Sequence, residues 1–583
     1  MRPERLSIDL RNPYCDWNAT QVEESPGTRA VRVWTRGQAW EKQTYLEGHD
    51  LSVWLSRELS NESKNAKSLF DNLLQKLNGT FALIAEMHEG VLAATDRLRS
   101  IPLFYGLRGS AFLLSDDAHQ VKDFVGNTDF EELSAKEFLL TGYVTGSDTL
   151  FPDVKQIQAG ERISVERTGT KKVATFRYYR FLHANYFEEP EEQLYGLMEE
   201  MLTRVFERLV RSVQGRRIVV PLSGGLDSRL IVVMLKRLGV ENVVCFSYGR
   251  PGNRESEISR EVAGRLGYVW CFVPYTRACW RKWFQSEEGR AYLRYGSGMA
   301  SYPIFQDWPA IWEMKERNEL QDGDVIVPGH SADFLAGSHI PPHYQHADSL
   351  AGADVVSAIL EKHYVLWKWR TGCGDWAQLL SLRVADRMED DTIRENPDAV
   401  DVFETWDWQE RQAKFIVNCC KGYEFWGYDW RIPFWDNEMM DFWARVPLSM
   451  RIGKKLYSSC LETRLFAEFG VGGLYPGKPF AGNKPLCRKP NSPSRALLNK
   501  WRTGWEMIGN PHLGRYRFCD YVRMWGAYHQ RFGNSRRSIS RFLSVNTLGA
   551  SVCLQAWNQS ECTRSVSLAN RFSHEAPCFP SRV

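Results

Sequence analysis

A chain of 583 residues, 43% apolar, 13% aromatic and 25% charged, can bury more than one core, and at ~100–200 residues per domain it spans about two to four domains. A single small binding module is excluded. The 74 basic and 71 acidic residues nearly cancel to a formal +3, so no strong field points to nucleic acid or an anionic membrane, and function must come from a site.

The opening segment, MRPERLSIDLRNPYCDW, lacks an apolar core followed by a small-residue cleavage site, and no run of ~18 apolar residues follows anywhere. Neither a secretory signal nor a membrane span is expected, and the location expected is cytoplasmic. From about residue 1 to 180 the text is strand-like. Short apolar or alternating runs (AVRVW, TFALIAEM, VLAATD, AFLLS, RISVE, KVATFRYY) are separated by Gly, Asn and Asp turns, with helices near Ser63 to Leu77 and Ser134 to Leu140. A polar, acidic stretch at 183–193 then gives way to a helical pattern, and the domain boundary is placed there. The first domain is therefore 1–182.

A different architecture follows. IVVPLS (218–223) reads as a buried strand, SRLIVVMLKRLG as a helix ended by Gly239, and NVVCFSYG (242–249) as a second strand. SEISREVAGRLG reads as a second helix ended by Gly267, and VWCFVPY (269–275) as a third strand. Strand and helix in alternation, with Leu230, Met234, Leu235 and Leu238 at helical spacing, predict a parallel, doubly wound α/β sheet. Residues 280 to 470 read as mostly helical and tryptophan-rich. The second domain is placed at 193–485, and 486–583 is a basic extension left unassigned.

The strongest chemical signal is Ser223-Gly224-Gly225-Leu226-Asp227-Ser228, set between a buried strand and a helix. Glycines permit a tight turn, backbone N–H groups and the helix's positive end face an anion, two hydroxyls can donate to phosphate oxygens, and Asp227 can hold magnesium. The loop lacks the lysine of the familiar nucleotide loop and resembles that of the ATP-pyrophosphatase (PP-loop) enzymes. Gly472 to Pro479, GGLYPGKP, satisfies part of the other nucleotide motif but puts Pro479 where a hydroxyl is needed and follows no apolar strand.

Three further segments resemble the asparagine synthetase family. DVIVPGHSADFLAG places Gly329, His330, Ser331, Ala332 and Asp333 in register with its second loop, GEGADE; Asp429 to Asp436, DWRIPFWD, matches ExRxPFLD; and Glu255 matches the acidic residue of its PGxxD-like stretch. In the first domain, residues 77–106, 141–151 and 157–165 look like the family's glutaminase domain. The resemblance implies a fold combining α/β and α+β: an N-terminal Ntn-hydrolase-like αββα sandwich and a C-terminal adenine-nucleotide α-hydrolase-like (PP-loop) parallel sheet flanked by helices.

The family implies an ATP-dependent ligase that adenylates a carboxylate, releases pyrophosphate and transfers ammonia or an amine. On that resemblance Leu222, Ser223, Gly224, Gly225, Asp227, Ser228, Tyr248, Gly249, Glu255 and Gly329 contact ATP, and Asp227 and Asp333 anchor Mg2+. Asp333, His330 and Lys478 serve the chemistry, with Lys454 and Lys455 fitting an earlier family lysine in a less direct role. His330 stands where the family has a glutamate and where β-lactam-closing relatives have a tyrosine; Phe334 replaces an acid. A histidine suits deprotonation of an ammonium near neutrality.

The family's glutaminase nucleophile is a cysteine directly after the initiator methionine. Arg2 stands there, and Cys15 in PYCDWN does not match, so a degenerate glutaminase fold is expected, although Gly48-His49-Asp50 resembles the family's glutamine-amine site.

Thirteen cysteines show no zinc spacing, and the adjacent Cys419 and Cys420 are expected to be reduced, buried thiols that grip no metal. His339, His343 and His346 show no acidic partner, and the tryptophans from Trp367 to Trp443 are expected in the core rather than as a sugar platform. The Asn-x-Ser/Thr triplets at Asn18, Asn61, Asn78 and Asn558 carry no weight without an export signal, and the arginines from Arg515 to Arg541 read as a solvated face. The partners expected are a small-molecule or sugar carboxylate, such as a uronic acid, and an ammonia or amine donor, with no nucleic acid and no membrane span; a homodimer is open. Alternatives are an intramolecular amide synthetase that closes a β-lactam or macrocycle, and a non-catalytic nucleotide-binding scaffold.

Overall fold

The computed structural model describes residues 6–475 apart from short gaps, the longest at 345–351, 367–374 and 389–398. In chain order the first strands are β1 (Leu6–Asp9), β2 (Asn18–Val22), β3 (Val31–Glu41), β4 (Thr44–Glu47), β5 (Leu77–Met87) and β6 (Gly90–Thr95). They are followed by β7 (Phe104–Arg108), β8 (Ala111–Ser115), β9 (Lys155–Gln156), β10 (Glu161–Glu166) and β11 (Val173–Arg177). These make two sheets, ordered β11-β10-β6-β5-β3-β2 with β4 on β3, and β1-β8-β7-β9.

Alternation along β5 explains the layering. Leu83 and Ala85 face helices His49–Leu59 and Ala66–Lys76, whose Leu51, Leu55, Phe70 and Leu73 are buried with them. Ala82 and Ile84 point the other way, onto Leu103, Tyr105, Phe112 and Leu114 of the second sheet. Helix Ala118–Val125 covers the far side so closely that a side chain on Gly106 would sit 2.6 Å from Val125. The helix expected from Ser63 to Leu77 runs from Ala66 to Lys76, because Asn65 caps it through Ser68 N–H and Leu77 already begins β5.

The second half holds β12 (Ile218–Pro221), β13 (Val243–Gly249), β14 (Val269–Pro274), β15 (Val325–Ile326) and β16 (Asp429–Trp430), all parallel in the order β14-β13-β12-β15-β16. The inner strands β12, β13 and β15 are mostly buried apolar runs, whereas edge strand β14 leaves Val269 exposed. The order reverses between β12 and β15, and the crevice beyond their carboxyl ends is where open α/β sheets bind ligands. The protein is thus a mixed α/β chain with a parallel sheet. The halves meet through ionic contacts, among them the partly buried pair of Arg431 with Glu47 at 2.9 Å. Among the described tryptophans, Trp406, Trp408, Trp430, Trp435 and Trp443 are buried. No helix among the described residues is long and apolar enough to cross a membrane.

Candidate active site

The loop after β12 is organised by its two hydroxyls. Ser228 Oγ accepts from Ser223 N–H at 3.0 Å and lies 3.1 Å from Ser223 Oγ, which accepts from Gly225 N–H at 3.1 Å. Leu222 is buried, its N–H donating to Phe246 O at 2.8 Å, so the turn begins at Ser223. Helix Leu226–Arg237 then starts on Gly225 with no side-chain cap, leaving first-turn N–H groups and the positive end of the helix dipole for an anion. A Cβ on Gly224 would lie 3.3 Å from Glu255 Cα, so the start of the next helix packs against the loop. Beneath it the buried Arg229 donates to Gly224 O at 3.1 Å, Val471 O at 3.1 Å and Leu474 O at 2.6 Å, fixing the loop to the chain just before Tyr475.

The loop after β15 lies directly on this turn. Gly329 is so close that a Cβ would meet Ser228 N at 2.6 Å and Ser228 Cα at 2.8 Å, a backbone clash that nothing can relieve cheaply. Ser331 adopts φ 72°, unusual for a side-chain-bearing residue, and its hydroxyl donates to Gln412 Oε1 at 2.7 Å. The chain then delivers Asp333, whose N–H donates to Asp227 Oδ2 at 3.0 Å. Tyr457 donates to Asp227 Oδ1 at 3.0 Å and Ser338 to Asp333 Oδ2 at 3.0 Å. Burial, with the neighbouring Asp333 charge, pushes the Asp227 carboxyl up to about 7. Burial acts upward on Asp333 too, but His339, Lys454 and the Ser338 hydroxyl overcome it and hold that carboxyl below its ordinary value. Two facing carboxylates, one reluctant to ionise, are oxygen donors with an excess of negative charge; they suit a hard divalent cation such as magnesium.

His330 sits at the same end of the sheet. Its Nε2 lies 2.8 Å from Cys419 Sγ, and the donor atoms of His330, Cys419 and Cys420 all lie within 4.8 Å of one another. Both cysteines are free, buried thiols, as expected, and the structure adds that their sulfurs gather with His330 into a group of soft donor atoms. Sequence spacing hid it, because the histidine is 89 residues from the thiol. His339 is likewise not without an acid. Its Nδ1 lies 2.6 Å from Asp407 Oδ2, and Asp407 also accepts from Gln412 Nε2 at 3.0 Å, the same glutamine that holds Ser331.

Tyr248 and Gly249 close β13 beside the loop. The Tyr248 ring stacks on Tyr275 at 4.9 Å and its hydroxyl donates to Asp307 Oδ1 at 2.5 Å; Tyr423 donates to the other Asp307 oxygen. Gly249 has φ 121°, which strains any side-chain-bearing residue. Lys454, at φ 60°, places its charge on the Asp227 and Asp333 pair, whereas Lys455 turns outward to Glu191 at 3.1 Å. Lys478, like Cys15, His343, His346, Trp367 and Trp369, lies outside the described residues. Tyr457, Arg229, Ser338 and Cys419 were invisible to motif reading, since each reaches the site from an element with no nucleotide-loop pattern.

The asparagine synthase family model matches residues 201–463, which carry both loops, Cys419, Lys454 and Tyr457, and the glutamine amidotransferase domain model matches residues 66–179. A curated relative, the probable asparagine synthetase [glutamine-hydrolyzing] of Acanthamoeba polyphaga mimivirus, is 29% identical over 212 residues, covering 34% of this chain. The match spans 35% of that relative's own length. Among solved structures, a glutamine phosphoribosylpyrophosphate amidotransferase from B. subtilis, complexed with ADP and GMP, aligns at 12% identity and TM-score 0.22, covering 44% of this chain and 73% of that one. An NH3-dependent NAD synthetase from Campylobacter jejuni subsp. jejuni aligns at 14% identity and TM-score 0.20, covering 40% and 96%. Likenesses at these scores carry no argument. The two domain matches, in this order, together with the curated relative, support membership of the asparagine synthetase family.

Proposed function

We propose that the protein is an ATP-dependent ligase that activates a carboxylate as its acyl-adenylate and converts it to an amide with ammonia or an amine. Ser223, Ser228 and the N–H groups opening helix Leu226–Arg237 hold the β- and γ-phosphates, which makes pyrophosphate the leaving group. Leu222, Gly224, Tyr248, Gly249 and Glu255 line the nucleotide. Asp227 and Asp333 hold magnesium, which when bound neutralises charge on the departing pyrophosphate. A carboxylate oxygen attacks the α-phosphorus, the bond from that phosphorus to the bridging oxygen breaks, and pyrophosphate takes the electron pair. The amine nitrogen then attacks the acyl carbon and AMP leaves with the second pair. His330 accepts the proton that the incoming ammonium must lose, and Lys478 steadies charge on the adenylate.

The observation that carries this reading is the seating of Gly329 on Ser228, which brings Asp333 within 3.0 Å of Asp227 at the end of the phosphate loop. In the same proposal, residues 1–182 form an Ntn-type sandwich that serves as a docking platform, 193–485 form the PP-loop synthetase, and 486–583 extend it. The test is incubation with magnesium-ATP and a panel of small carboxylic acids, with ammonia or glutamine as donor, assayed for AMP and pyrophosphate. Pyrophosphate release dependent on one acid, and lost in Asp227→Ala, is expected. Release of ADP and phosphate, or no acid-dependent turnover, overturns the mechanism; glutamine serving as well as ammonia overturns the docking role of the first domain. Turnover that needs no external amine would make the amide intramolecular.

A further inference from the structure

A cavity lies between the two halves of the chain. It encloses about 190 Å3 and is lined by Tyr14, Arg99 and Asp116 from the first half and by Arg294, Asn418 and Lys421 from the second. Arg99 is 4% exposed and is held at φ 53°, where its N–H reaches Asp96 O at 3.1 Å. Among the described residues its Nε is buried without a hydrogen-bond partner, and its guanidinium lies over the Phe104 ring at 5.6 Å from the centroid.

The acids nearby are otherwise engaged. Glu410 accepts from Gly146 N–H at 3.0 Å and from the buried ammonium of Lys414, while Asp96 accepts from Phe81 N–H at 2.9 Å, Leu98 N–H at 2.7 Å and the Ser100 hydroxyl. Burial pulls the Arg99 guanidinium down to about 9, still cationic at neutrality. A buried cation with no carboxylate bonded to it, held on a strained backbone at a cavity wall, is costly unless something outside the fold completes it. A guanidinium is matched in shape and charge by a carboxylate.

The other walls narrow the ligand. Arg294 adds a second cation, near Asp117, which also lines the cavity and accepts from His119 N–H at 2.8 Å, and Lys421 is already paired with Glu424 at 3.0 Å. Asp116 accepts from Trp17 Nε1 at 2.8 Å through one oxygen, and the other has no partner. A carboxylate there disfavours a dianion such as phosphate and calls for a donor on the ligand. We propose that this cavity binds a small carboxylate bearing a hydroxyl or ammonium donor, with Arg99 and Arg294 on its carboxylate and Asp116 taking the donor. The site backs onto the synthetase centre, because Asn418 lines the cavity while the next residue, Cys419, touches His330.

The test is isothermal titration of the full chain, without ATP or magnesium, with L-lactate, L-malate, glycine and L-alanine. Propionate and inorganic phosphate are the comparisons. Saturable binding of a hydroxy or amino acid, weakened at least tenfold by Arg99→Gly and by Arg294→Ala, is expected. Glycine tolerates the positive φ at 99, and Arg294 is exposed, so Arg294→Ala decides alone if the first variant does not fold. No binding by any of these acids, or affinity unchanged in the arginine variants, overturns the site. Tighter binding of phosphate overturns the ligand class, and equal binding of propionate overturns the role of Asp116. Because ATP and magnesium are absent, the outcome does not depend on the ligase reading.

Discussion

His330 Nε2 and Cys419 Sγ stand 2.8 Å apart at the end of the parallel sheet, and the same sulfur lies 2.6 Å from Ile416 O. Burial pushes the Cys419 thiol well up, so it is neutral at pH 7. Burial alone would pull the His330 imidazole down, but the neutral Cys419 sulfur as a hydrogen-bond acceptor and the Asp307 and Asp333 carboxylates outweigh that and hold the ring above its ordinary value. A base works when unprotonated, so the amide-forming step is expected to rise with pH through this raised value. In Cys419→Ala the limb should move to lower pH. A pH profile of amide formation at saturating ATP checks the direction. His330→Gln should slow amide formation about 100-fold while leaving acid-dependent pyrophosphate release within a few-fold of wild type; equal losses in both would remove His330 from proton transfer.

The acidic pair makes a second prediction, in stability. Asp227 titrates near 7 in the fold and near 3.8 when unfolded, so the unfolded chain releases its proton first as pH rises. The nucleotide-free protein should therefore lose stability from about pH 4 to 7 through this group. Asp227→Asn removes the penalty. At pH 8 without magnesium the variant is expected to be the more stable, by up to about 4 kcal/mol, with the gap closing towards pH 4. Thermal melts across that range measure it. The same variant should have no measurable ligase activity, and magnesium should raise the Tm of wild type only.

Gly329 tests the contact between the loops without touching a charged group. A methyl there would meet the Ser228 backbone at 2.6–2.8 Å, so the phosphate loop or the second loop must move. Gly329→Ala is expected to cost about 1–3 kcal/mol of stability and to raise the KM for ATP at least tenfold. Gly225 offers the contrast, since a Cβ there meets only the Ser223 hydroxyl at 3.2 Å. A Gly329→Ala enzyme with normal KM would mean that the two loops are not coupled.

What was legible in the sequence was what is local. The strand, turn and helix around Ser223 to Ser228 follow from an apolar run, two adjacent glycines and a helical period, and none of these needs a distant partner. The parallel direction of the strands also follows from alternating strands and helices, whereas their order, in which β12 and β15 bring Asp227 and Asp333 together from 106 residues apart, is set by packing. Tyr457, Arg229 and Cys419 could not be read the same way. Each is an ordinary core or helix residue by its neighbours and becomes part of the site only through packing. The segment from Asp407 to Ile416 shows the limit most clearly. It folds as a wide, π-type helix that turns Asp407, Glu410, Gln412 and Lys414 inward, a choice that the string DWQERQAKFI does not announce.

That wide helix carries the last prediction. Lys414 is fully buried, its ammonium donating to Gly146 O at 2.6 Å, Val144 O at 3.1 Å and the Glu410 carboxylate, which in turn accepts from Gly146 N–H. The pair thus satisfies backbone of the first half from a helix of the second. A buried ion pair adds little net stability over an apolar pair of the same shape, but breaking it leaves one charge stranded. Lys414→Met should therefore destabilise the protein by about 3–5 kcal/mol, since Glu410 would be buried without its cation and two carbonyls without a donor. Adding Glu410→Gln should restore part of that loss by removing the charge. Urea unfolding of the two single variants and the double variant measures the coupling. If Lys414→Met alone unfolds like wild type, this contact does not join the two halves.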